Sequence, residues 1–267
     1  MFDFIKLIIR ESVMLYKDHT KLILGYAAWL FLPAAISIVT DASFTQFIEA
    51  HILAESITKA QSLQFVHALI QLFLFIFQIW FAIAFARTIQ ALSQHKSVSH
   101  ILPEFKQALH LIPRTVLLWG FFSLLIGIGL VFPIYLQNTL GLIIGLALLA
   151  AGSYLVVRFV YSVSIIALEG DGLKAALVKS TRMVKGRWWY TLVIITLPLI
   201  FFSIISYILV RIVELPLQLI NFSDIEISGL VLSFATLISV VSTLVDALIA
   251  PALIAAPTLT YLKMKNR

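Results

Sequence analysis

The basic residues of this chain recur in clusters, and long apolar runs separate the clusters from connections that are acidic or neutral. The clusters are Lys6, Arg10, Lys17 and Lys21; Arg87, Lys96, Lys106 and Arg114; Lys174, Lys179, Arg182, Lys185 and Arg187; and Lys263, Lys265 and Arg267. Of the 19 Lys and Arg residues, only Lys59, Arg158 and Arg211 stand outside them. Positive charge that alternates with apolar runs in this way orients a chain in a bilayer. Composition agrees: 61% of residues are hydrophobic and 12% charged, against roughly 25% charged in soluble domains. The net charge of +6 is therefore no nucleic-acid signature, because the cations recur along the chain instead of forming one stripe. With no Cys, disulfides, thiolate metal sites and Cys nucleophiles are excluded.

Six spans can be drawn: Leu22 to Val39, Leu63 to Ala86, Val116 to Leu136, Leu140 to Leu168, Trp188 to Val213 and Gly229 to Leu262. The fourth and sixth exceed the roughly 20 residues needed to cross, so they are expected to tilt, kink or project. Asp3, Lys6, Arg10, Glu11, Lys17 and Asp18 interrupt the first twenty residues, which excludes the apolar core of a secretory signal. Trp188, Trp189 and Tyr190 open the fifth span beside Arg187, as an interfacial anchor does. The expected fold is all-α: a polytopic integral membrane protein with six transmembrane helices and three interfacial amphipathic helices, both termini cytoplasmic. Localisation to a bacterial inner (plasma) membrane goes with it.

An amphipathic segment precedes spans one, three and five. In the last copy Leu173, Ala176, Leu177, Met183 and Val184 share one face at about 100° per residue, and Lys174, Lys179, Arg182 and Lys185 the other. Ser180 falls inside the apolar stripe, and Ser12 falls at the same angle in the first copy, whose basic residues are Lys6, Arg10 and Lys17. Basic faces of this kind suit anionic headgroups, which makes membrane lipids the expected partners and nucleic acid not one. The chain reads as a single membrane domain, 1–267, built as a three-unit repeat: 1–96, 97–168 and 169–267. Pro33, Pro133 and Pro198 each lie in the first span of a unit. Between spans one and two, Phe44, Phe47, Ile48, Ile52 and Leu53 suggest a short amphipathic helix on the outer leaflet.

Asp246 is the only acidic residue deep inside a span, and a buried charge there costs on the order of 2.5–3.5 kcal/mol. Arg158, in span four, is its expected partner, either as a structural clamp or in a transport path. Arg211 and Glu214 are placed to pair locally, and Gln71 and Gln78 to hydrogen-bond between helices. Catalytic patterns are missing. There is no H-E-x-x-H pair, G-x-S-x-G elbow or P-loop, and His95 and His100 are badly spaced for one metal. Pro251-Ala252-Leu253 after Asp246 resembles the tripeptide of intramembrane aspartyl proteases, but that chemistry needs two carboxylates, and no second intramembrane Asp exists. No cofactor is expected.

One stretch carries a family resemblance. It comprises Arg158-Phe159, the run ending Ile165-Ile166-Ala167-Leu168-Glu169, then Gly172, Ala175, Ala176, Leu177, Ser180 and Val184-Lys185-Gly186. The closing Pro257 and Leu259-Thr260-Tyr261-Leu262-Lys263-Met264-Lys265 belongs to the same pattern, although Lys263 stands where an Asp is common. The pattern resembles the bacterial six-span superfamily that includes the membrane domain of some glycerophosphodiester phosphodiesterases and related uncharacterised inner-membrane proteins. In those phosphodiesterases a separate soluble domain does the chemistry, and this sequence holds no counterpart. The resemblance therefore implies a non-catalytic membrane protein concerned with lipid or envelope homeostasis. The alternative expectation is a small transporter or channel using Arg158 and Asp246.

Overall fold

The computed structural model describes residues 1–52, 57–94, 102–136, 138–219, 225–227, 230–232 and 234–265. Among the described residues, ten helices run in the order α1 (Phe2–Asp18), α2 (Thr20–Ile52), α3 (Ile57–Ser93), α4 (Leu102–Leu109), α5 (Ile112–Leu136), α6 (Thr139–Arg158), α7 (Tyr161–Glu169), α8 (Leu173–Val184), α9 (Trp188–Leu219) and α10 (Phe234–Lys265). Six stretches of the described residues are long and apolar enough to cross a membrane: Thr20–Asp41, Gln64–Ser93, Ile112–Val131, Thr139–Glu169, Trp188–Pro216 and Thr236–Lys265. The protein is a polytopic, helical membrane protein. In hydrocarbon a helix meets all its backbone hydrogen bonds internally, which is why apolar runs of this length resolve as helices.

Two expectations need correction. The sixth span does not begin at Gly229. Strands β1 (Ile225–Ile227) and β2 (Leu230–Leu232) pair antiparallel in register Ile225 with Leu232, Glu226 with Val231 and Ile227 with Leu230, and the helix starts at Phe234. A short apolar run does not by itself distinguish strand from helix, and this one pairs with a neighbour. Second, the connection after span one forms no separate helix up to Ile52, because α2 continues unbroken through it; Leu53 lies outside the described residues. The long fourth span, expected to tilt, kink or project, is broken into two helices at Phe159 and Val160. Pro33, by contrast, is accommodated inside α2.

The chain forms two compact units. The first comprises Met1–Ser12, Ala82–Pro198 and Ile254–Arg267; the second comprises Val13–Phe81 and Leu199–Leu253. In the first unit, α5 and α6 pack closely. Gly141, Gly145 and Gly152 are buried along α6. A Cβ on Gly129 of α5 would come within 2.8 Å of the Leu149 side chain and 2.9 Å of its backbone nitrogen, so this crossing depends on a missing side chain. In the second unit, Ser37 donates to Gln71 Oε1 at 2.7 Å, and Gln71 Nε2 donates to Asp41 at 2.9 Å, joining α2 to α3. His67 adds a 2.8 Å contact to the same Asp41 and stacks on Phe44. The expected interhelical role thus holds for Gln71.

A cationic cleft and a carboxylate hub as candidate functional site

The break between α6 and α7 organises the first unit. A regular helix would carry the Ser162 amide to the Arg158 carbonyl; here it turns tightly to Phe159 at 2.9 Å. The Val160 amide reaches Val157, so the Tyr161 amide also lacks its usual acceptor. Both groups are met by one hydroxyl from α8. Ser180 Oγ donates to the Arg158 carbonyl at 3.0 Å and accepts from the Tyr161 amide at 3.2 Å. Ser180 is fully buried, which explains a polar residue in an apolar stripe. Ser162 Oγ adds a 3.3 Å bond to the Ala176 carbonyl. Ser12 on α1 is buried too, but its hydroxyl turns back to the Ile8 carbonyl at 2.9 Å.

At the other end of α7, Gly170 takes a left-handed conformation (φ 73°), the geometry that closes a helix with least strain in glycine. Two arginines collect the carbonyls there. Arg87 donates to Ala167 at 3.0 Å and to Glu104 at 2.9 Å, and Arg114 donates to the Gly170 carbonyl at 2.6 Å. Cations at a helix C-terminus complement its dipole. Beside them the Glu169 carboxylate accepts from Lys179, from Lys265 at 2.7 Å and from the Tyr261 hydroxyl. Lys179 also reaches Asp171 at 3.5 Å. Its hydrogen bond to Glu169 holds the Lys179 ammonium above the ordinary lysine range, although partial burial pulls the other way. Lys263 pairs with Glu11 at 2.8 Å, so α10 is tied to α1 as well as to α7.

Between the end of α6 and the outer side of α8 lies a cleft of about 800 Å³. Arg158, Lys174, Arg182 and Lys185 line it with Tyr154 and Trp188, and no carboxylate does. Among the described residues none of these four cations belongs to an ion pair. Trp188 stacks on Tyr154 with ring centroids 5.6 Å apart and donates to the Tyr154 carbonyl at 3.1 Å, while Trp189 is exposed. The aromatic start of the fifth span thus splits: one ring walls the cleft and one faces outward.

These positions sort the residues singled out from sequence. Lys174, Arg182 and Lys185 are exposed on α8, and Lys6, Arg10 and Lys17 are exposed on α1. Lys179 is spent on Glu169 and Asp171. The buried face of α8 is narrower than its helical pattern suggests: Ala176, Ser180 and Val184 are buried, while Leu173 and Leu177 line the cleft. Arg158 belongs to the first unit and borders the cleft. Asp246 belongs to the second, where Ser206 Oγ donates to it at 2.5 Å. Arg211 and Glu214 pair at 3.0 Å, with Ser242 also donating to Glu214 at 2.8 Å. Glu169 was not singled out as a site residue. Its signal was present, since Glu169 and the Tyr261 to Lys265 segment both carry the family resemblance, but their contact across 92 residues is not visible in one sequence.

The family model for the membrane domain of glycerophosphoryl diester phosphodiesterase matches residues 131–266. The chain belongs to this family. The matched region runs from the end of α5 through α10, and so contains the broken span, Ser180, Glu169, Tyr261 and all the residues that line the cleft. No curated protein and no solved structure matches the chain significantly.

Proposed function

We propose that this family member is a non-catalytic protein of the bacterial inner membrane that acts on membrane lipid, with both termini and helices α1, α4 and α8 at the cytoplasmic leaflet. The observation that carries this reading is α8, which buries Ala176, Ser180 and Val184 and leaves Lys174, Arg182 and Lys185 exposed. An in-plane helix of this kind sinks its apolar side and offers its cations to anionic headgroups, each basic residue near the surface contributing about 1 kcal/mol. The exposed Lys6, Arg10 and Lys17 of α1 support the same orientation. Transport draws less support. Asp246 is held by Ser206 within its own unit, and Arg158 borders a cleft formed wholly by the other, so each charge has a local setting.

The test is purification with native lipids followed by lipid mass spectrometry. Enrichment of anionic phospholipid over an unrelated six-span protein of similar size is the expected result. A retained lipid profile identical to that control would overturn the reading. If Asp246→Asn abolished a solute flux in proteoliposomes, the transport reading would take its place.

A further inference from the structure

The cleft at the end of α6 carries more than a general attraction to headgroups. Four cations converge on one concave space, with no acid in its lining and no ion pair to any of them among the described residues. Like charges gathered in this way repel each other and favour an anion between them. Arg158 ends α6 within the candidate fourth span, Thr139–Glu169, where an unmatched cation is costly. The remaining wall is aromatic and aliphatic, and the half-buried Leu173 and Leu177 contribute to it. A small soluble anion would use the cations and leave that wall wet; an amphiphile uses both. The volume of about 800 Å³ lies within the range of about 300–1,000 Å³ of sites for single small molecules.

We propose that this cleft is a binding site for one anionic glycerophospholipid, its phosphate held among Arg158, Lys174, Arg182 and Lys185 and the start of its acyl chains lying against Leu173, Leu177, Tyr154 and Trp188. The guanidinium groups of Arg158 and Arg182 match phosphate oxygens in a forked geometry that the two lysines supplement as point charges. Trp188 is pinned to Tyr154, so the aromatic wall is formed before any ligand arrives. The inference deepens the lipid-linked reading above and rests on it.

The experiment is native mass spectrometry of the full-length protein titrated with phosphatidylglycerol and, separately, with phosphatidylcholine. Arg182→Gln/Lys185→Gln is compared with a control that loses the same charge elsewhere, Lys21→Gln/Lys59→Gln. One tightly retained phosphatidylglycerol is expected in the wild type, weakened about tenfold or more by the cleft pair and less than about twofold by the control. Arg182→Lys/Lys185→Arg is expected to bind more tightly than Arg182→Gln/Lys185→Gln, which separates loss of charge from loss of fold. Equal weakening by cleft and control pairs would overturn the cleft site while leaving diffuse headgroup attraction intact. Absence of any preference for phosphatidylglycerol in the wild type would overturn both. An arm with sn-glycerol 3-phosphate separates the two sources of phosphate: binding comparable to that of the lipid would overturn the phospholipid assignment in favour of a soluble phosphate ester.

Discussion

Ser180 shows how much one hydroxyl can hold in a low-dielectric setting. It serves the Arg158 carbonyl and the Tyr161 amide at once, and both would be buried without a partner if it were removed. Ser180→Ala is expected to destabilise the protein by about 2–6 kcal/mol, taking roughly 1–3 kcal/mol for each of the two unmet groups. Thermal unfolding in detergent checks this, with Ser12→Ala as comparison, since Ser12 only returns to a carbonyl that its own helix already satisfies. Lys179 offers a different test. Because its pKa is raised in the folded state, its contribution is fully present below the unfolded value of about 10.4 and is lost as pH rises through the higher folded value. The difference in melting temperature between wild type and Lys179→Met is therefore expected to stay constant from about pH 7 to pH 9.5 and to shrink only above about pH 10.4. Shrinkage already below pH 9 would show that the Glu169 pairing does not hold the proton on.

At the scale of elements, the crossing of α5 and α6 depends on close backbone approach at Gly129. Gly129→Val puts a branched side chain where even a Cβ comes within 2.9 Å of the Leu149 backbone nitrogen, and overpacking of this sort costs about 1–3 kcal/mol. Gly120, whose Cβ would meet nothing within 4 Å, is the matched control; a valine there is expected to change the melting temperature little. Equal effects at the two glycines would refute the close crossing. Sequence made the helices themselves legible, because apolar runs of twenty residues or more have few other solutions in a bilayer. It also made legible that Ser180 was out of place. It did not reveal why, because the unmet groups are backbone atoms created by a break at Phe159, and that break has no proline or glycine to mark it. Nor did it reveal that Leu173 and Leu177 stay half-buried along a cleft, since helical periodicity gives angles and not neighbours. The strand Leu230–Leu232 was read as the start of a helix for a related reason: apolarity was visible and its pairing with Ile225–Ile227 was not.

For the whole molecule, the orientation proposed from the charge clusters can be measured directly. The chain has no Cys, so any introduced thiol is the sole one. In cells with a permeabilised outer envelope, His19→Cys and Asn266→Cys are expected to resist a membrane-impermeant thiol reagent, while Ser62→Cys and Gln137→Cys react. Labelling in the opposite sense would invert the topology and place the cationic cleft on the other leaflet. The broken fourth span also has a consequence for how the protein is made. Its two pieces are synthesised first, and the hydroxyl that joins them comes 19 residues after Tyr161, on a helix that follows the hairpin's exit from the bilayer. A nascent span broken as in the finished fold would hold the Arg158 carbonyl and the Tyr161 amide unmet until that residue emerges. Completion of the span then belongs to the next segment off the ribosome.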